Sequence, residues 1–190
     1  MKLAKYLFIF LSLSYLICGQ VLSADCEDVS ASTETVAVSC SDLDIGGDDS
    51  NVTVNSGVTI DATKGAVATG NATNATITNN GTFSASGNYG LRNSSPGHIA
   101  ELINNGSITA GASSGLRNGG TITILTNTNT ISATGDKGIF NVTGGTIGTI
   151  TNSGTISAGD DFGIYNSGTA SITTLTNSGT ISAARSSLWN

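Results

Sequence analysis

From about residue 77 to Asn190 the apolar positions fall into columns. Large apolar side chains recur as Phe83, Ile108, Ile131, Ile156 and Ile181, at intervals of 23–25 residues. Two residues after each stands a small one: Ala85, Ala110, Ala133, Ala158, Ala183. Another column, Leu91, Leu116, Ile139, Ile164 and Leu188, lies later in each copy, and Ile77, Leu102, Leu125, Ile150 and Leu175 link one copy to the next. A weaker copy precedes them around Asn55-Ser-Gly57, with Ile60 and Gly65. Within each copy are about three short runs of period-2 alternation, rich in Thr and Ile and separated by Asn-Gly, Ser-Gly or Gly-Asp turn chemistry. Such runs are too short, and too rich in Gly and β-branched residues, for helices. A fixed period of this length signals a stack of one unit. Three strands per 23–25 residues describe one triangular coil of a parallel β-solenoid, an all-β fold. Coils pair strand on strand at roughly 4.8 Å, and each apolar column becomes an inward ladder that one coil alone could not bury.

Polar columns run with the apolar ones. Asn79, Asn104, Asn127, Asn152 and Asn177 open successive copies, and Asn93, Asn118, Asn141, Asn166 and Asn190 close the later strand. An amide stacked on its copy in the next coil can donate and accept along the column, so both sets are expected as structural ladders. The positions just before the second set are Arg92, Arg117, Phe140, Tyr165 and Trp189. Each lies between an inward Leu or Ile and an inward Asn, so alternation points it outward. This exposed stripe is the candidate surface for a host-surface protein, a glycan or another copy of the chain. Stacking that merely stabilises the outer face accounts for the same residues.

Composition narrows the function classes. Aromatic residues make up 5% and charged residues 11% of the 190, too few for an ordinary globular enzyme core but enough for a narrow solenoid lumen. The net charge of −6 is unevenly placed. All eight acids from Asp25 to Asp49 stand without a single Lys or Arg, whereas acids and bases balance from residue 50 onward. No basic cluster exists for a nucleic acid. Residues 1–24 read as a secretory signal, with Lys2 and Lys5 ahead of an apolar Leu7–Ile17 stretch and small residues near Ala24. A signal helix is therefore expected there. Tyr15-Leu-Ile-Cys18 lacks the small residues that precede a lipidated cysteine. Cleavage leaves Cys26 and Cys40, an even pair that reads as a disulfide in an exported chain. Residues 25–50 are expected as an acidic, disulfide-containing cap that blunts the open strand edge, and 51–190 as the β-helix repeats.

Catalytic and metal chemistry find little footing. Asp42-Leu-Asp44-Ile-Gly-Gly-Asp48-Asp49 could wrap a hard cation such as calcium, but it lacks the twelve-residue calcium-loop pattern and occurs once. We assign no metal and no cofactor. Asp160-Asp161 with His98 suggests a polysaccharide-cleaving β-helix, yet 62 residues separate His98 from Asp160, and the aspartates stand where other copies have turns. His98 is the lone histidine, so no triad can be assembled from a second one. An ice-binding Thr-x-Thr array, suggested by Thr121-Ile-Thr123, is interrupted by His98-Ile-Ala100, Thr146-Ile-Gly148 and Ser171-Ile-Thr173.

The signal, Asp25-Cys-Glu-Asp28, the stretch Val52-Thr-Val-Asn-Ser-Gly-Val-Thr-Ile60 and the copies of Asn-Ser-Gly-Thr-Ile-Ser-Ala together resemble the N-terminal part of a bacterial autotransporter passenger. The resemblance covers most of residues 25–190. It implies a right-handed β-helix displayed outside a Gram-negative cell, commonly for adhesion or aggregation. It also implies export through the inner membrane and a C-terminal outer-membrane barrel, whose serial lipid-facing strands are missing from this chain. The expected role is a non-enzymatic surface structural or adhesive passenger fragment. The runner-up is a small secreted solenoid that binds carbohydrate or ice, with a polysaccharide-degrading enzyme third.

Overall fold

The computed structural model describes Cys26, Val29 and residues 33–190; the expected signal helix at 1–24 lies outside the described residues. Among the described residues, twenty short strands wind into a right-handed parallel β-solenoid of about six coils. Each complete coil contributes one strand to each of three sheets. Sheet one stacks β1 (Thr33–Val36), β3 (Asn51–Val54), β6 (Ala75–Asn79), β9 (His98–Asn104), β12 (Thr121–Asn127), β15 (Thr146–Asn152) and β18 (Ser171–Asn177). Sheet two stacks β4 (Thr59–Ala62), β7 (Thr82–Ala85), β10 (Ser107–Ala110), β13 (Thr130–Ala133), β16 (Thr155–Ala158) and β19 (Thr180–Ser182). Sheet three stacks β2 (Leu43–Asp44), β5 (Gly65–Thr69), β8 (Tyr89–Asn93), β11 (Ser114–Asn118), β14 (Lys137–Asn141), β17 (Phe162–Asn166) and β20 (Ser186–Trp189).

The register follows the sequence columns residue for residue. Ile60, Phe83, Ile108, Ile131, Ile156 and Ile181 are successive partners in sheet two. Val67, Leu91, Leu116, Ile139, Ile164 and Leu188 are partners in sheet three. Ile77, Leu102, Leu125, Ile150 and Leu175 line sheet one. A further inward column, Ile99, Ile122, Ile147 and Ile172, lies three residues before the last of these. It was not anticipated, because strict alternation would put residues three apart on opposite faces. The long sheet-one strands bend instead: Thr123 and Ile124 both face outward, so Ile122 and Leu125 both enter the lumen. The coils that begin at β9, β12 and β15 thus each bury four large aliphatic side chains, at about 1.5–3 kcal/mol apiece, whereas the coil from β6 has Ala75 in the fourth place.

Asparagine ladders complete the lumen. Asn79 donates through Nδ2 to Asn104 Oδ1 at 2.8 Å, and the chain continues through Asn127, Asn152 and Asn177 at 2.7 Å per step. The second ladder runs from Asn93 through Asn118, Asn141 and Asn166 to Asn190 at 2.6–2.8 Å. Thr69 starts it, its hydroxyl donating to Asn93 Oδ1. The buried rungs also reach backbone carbonyls, as Asn118 does at Gly120 O and Thr146 O. Their amides are thereby satisfied, which lets polar side chains occupy columns buried as far as Asn152 and Asn166; Asn177 and Asn190 on the last coil are exposed.

The acidic N-terminal segment joins the stack directly. β1 pairs with β3, Cys40 bridges to Ile60, and β2 pairs with β5. Cys26 and Cys40 form a disulfide, their Cα atoms 5.4 Å apart. Val29, Leu43 and Ile45 are buried against the first coil.

Candidate interaction surface

Sheet three carries the outward stripe. Arg92, Arg117, Phe140, Tyr165 and Trp189 are direct partners on consecutive strands β8, β11, β14, β17 and β20. Arg92 is exposed, Arg117, Phe140 and Tyr165 are half-buried, and Trp189 is 51% exposed. Four steps of about 4.8 Å give the row a length of roughly 19 Å.

A second row stands beside it: Tyr89, Ser114, Lys137, Phe162 and Ser186, of which Ser114 and Phe162 are covered. In the first four strands the bend falls at the glycine that follows. Gly90, Gly115, Gly138 and Gly163 turn inward, and a Cβ on any of them would come within 2.8 Å of a neighbour, 2.6 Å from Gly163 O in the case of Gly138. The bend brings residues three apart onto one outer face. Phe162 and Tyr165 stack with centroids 4.9 Å apart and planes inclined by 17°. Phe140 meets Tyr165 at 5.4 Å, and Phe162 meets Trp189 at 5.6 Å. These are the offset and tilted geometries that aromatic quadrupoles favour.

Cations brace the rings. Lys137 Nζ lies 5.2 Å from the Phe140 ring and 5.6 Å from that of Tyr165, and it pairs with Asp136 at 3.6 Å and Asp161 at 3.7 Å. Its side chain is only 13% exposed. Arg185 covers the Phe162 ring at 5.2 Å and reaches Asp161 at 3.8 Å. At the other end Arg117 lies over Tyr89 at 5.5 Å. The face is therefore polarised along the axis, with Arg92 and Arg117 at one end and braced aromatic rings at the other.

The remaining candidates are dispersed. His98 sits on β9 in sheet one, its Nε2 2.9 Å from Thr123 Oγ1, whereas Asp160 and Asp161 occupy the turn between β16 and β17. The solenoid does not unite them. Asp48 accepts a hydrogen bond from the Thr73 hydroxyl, and Asp49 accepts one from Asn74 at 2.7 Å. Asp42 and Asp44 face a different corner. Among the described residues no three His, Cys, Asp or Glu side chains converge as metal ligands.

One concavity escaped the sequence reading. A groove of about 500 Å³ opens at the corner between sheets two and three, lined in part by Asp42, Asp61 and Lys64. It adjoins a hollow of about 250 Å³ bordered by Asn88, Tyr89 and Arg92, so it runs into the Arg end of the stripe. No protein-family model, curated protein or solved structure matches this chain.

Proposed function

We propose that this chain is a passenger-type β-solenoid of an exported, surface-displayed protein, with a structural and adhesive role and no catalytic one. The observation that carries the reading is the in-register outer row ending in Phe140, Tyr165 and Trp189, with Lys137 and Arg185 fixing the rings. A braced aromatic face is preorganised for contact, because little side-chain freedom remains to be lost on binding. The fold supports the reading as well, since a stack of coils presents an extended flat side and needs no enclosed site. The disulfide fits an oxidising compartment. Attachment to an outer membrane would be through a C-terminal barrel; sequence downstream of Asn190 without barrel strands in any frame would overturn that part. The contact role is tested by coating beads with the mature chain and measuring adhesion to cells and bead–bead aggregation. Replacing Phe140, Tyr165 and Trp189 by Ser is expected to reduce adhesion roughly tenfold or more, the loss of one or two hot-spot contacts, with the circular dichroism spectrum unchanged. Undiminished adhesion by a folded triple variant refutes the role of this face.

A further inference from the structure

The groove at the Arg end of the stripe originates in the length of the first coil. Between Cys40 and Leu43 the chain has two residues, Ser41 and Asp42. Between their partners Ile60 and Val67 it has six, Asp61 to Ala66. The second coil therefore overhangs the first by four residues at this corner, and the overhang forms one wall of the groove. Its volume of about 500 Å³ lies within the range of small-ligand sites.

The lining has a definite chemistry. Asp42, Asp44 and Asp61 line it with carboxylates, while Lys64 and Arg92 offer cationic donors. Asn88 offers both an acceptor and donors, and Tyr89 adds a half-buried ring. A multivalent anion would meet the carboxylates, and a metal cation would meet Lys64 and Arg92. A neutral polyhydroxyl compound meets neither conflict: its hydroxyls donate to carboxylates, accept from Lys and Arg, and its C–H face lies on a ring. We propose that this groove is a binding subsite for a neutral pyranose sugar, and that it anchors a glycan whose chain runs along the stripe toward Trp189. The proposal rests on the reading of sheet three as a contact face and assigns its ligand class. The coil step of about 4.8 Å is close to the advance of one sugar unit in an extended chain. Successive sugars would then pass over Arg117, Phe140, Tyr165 and Trp189 in turn.

The test uses the uniformly ¹⁵N-labelled mature chain, titrated with neutral glucose, galactose and mannose and with their linear hexasaccharides. A galacturonic acid hexasaccharide and calcium chloride form separate arms. At least one neutral sugar is expected to shift the amides of Lys64, Asn88 and Tyr89. Asp42→Asn combined with Lys64→Ala is expected to weaken that sugar's binding roughly tenfold or more, the worth of one or two charge-assisted hydrogen bonds. Trp189→Ser should weaken the hexasaccharide and leave the monosaccharide unaffected; equal effects on both would refute the path along the stripe. Groove shifts caused only by the acidic sugar or only by calcium overturn the assignment, as does the absence of shifts with every neutral sugar. If no sugar binds while adhesion still depends on the aromatic row, the ligand class falls and the contact face stands. If sugar shifts the groove while adhesion ignores the row, the reverse holds.

Discussion

At the scale of single residues, the two asparagine columns do what apolar residues cannot. An Ile in the same place would bury area, but it would leave turn carbonyls such as Gly120 O and Thr146 O without the amide that Asn118 supplies. Asn118 also accepts from Asn93 and donates to Asn141. Its replacement by Ala therefore leaves Asn141 Oδ1 without its donor, while Asn93 keeps Gly97 O and Thr121 O as acceptors. Asn118→Ala is expected to cost about 1–3 kcal/mol, the usual range for one unsatisfied buried group, as measured by urea unfolding. A loss below about 0.5 kcal/mol would mean that water fills the ladder at little cost. The first column was legible because five successive copies place Asn four residues before the large apolar residue of sheet two, and the second because Asn follows the Leu or Ile of sheet three by two. Thr69 was not, since a different residue type begins the second ladder.

At the scale of the element, the bends decide which face a residue occupies. A strand read by alternation alone places Lys137 and Phe140 on opposite sides. The inward glycine between Lys137 and Ile139 puts them together, and the cation then rests on the ring. Gly138 has no room for a side chain, with backbone oxygens of Gly163 and Ser157 within 2.9 Å of a Cβ. Gly138→Val is accordingly expected to destabilise the chain by about 2–4 kcal/mol through overpacking and strand distortion. It should also disturb the Phe140–Tyr165 pair, visible as changed near-ultraviolet circular dichroism. A neutral outcome would show that the bend is imposed from elsewhere. The same bend in sheet one hid the Ile99, Ile122, Ile147 and Ile172 column. The signal available in the sequence was a recurrent spacing of three between apolar residues inside one run.

At the scale of the whole molecule, the solenoid is nearly one-dimensional. Each coil rests on its neighbours through in-register ladders, so stability accumulates coil by coil. Asn104 and Asn127 are strand partners, which makes residues 105–127 one complete unit. Deleting those 23 residues is expected to leave a folded β-solenoid with a lower thermal midpoint. Deleting only 105–118 removes β10 and β11 and joins β9 to β12, so the coil is broken and its lumen residues lose their places. That shorter deletion should lose cooperative unfolding in calorimetry and gain dye-accessible apolar surface. Equal behaviour of the two deletions would refute the coil as the folding unit. The polarity of the outer face also belongs to this scale: the stripe carries Arg92 and Arg117 on the earlier coils and aromatic rings braced by Lys137 and Arg185 on the later ones.

The fold is written in the periodic pattern of the chain, because a stacked architecture repeats its energetics with its period. Inward columns, polar ladders and strand pairing all follow once residues 23–25 apart are superposed. Features that depend on departures from the period took shape only in the stacked coils. The glycine and threonine bends changed which residues share a face, through steric limits set by the neighbouring strands and the adjoining sheet. The groove arose because a short first coil meets a longer second one, a mismatch between turns distant in sequence. Repetition is visible along the chain; a difference in length between stacked corners acquires a shape only when the coils lie on each other.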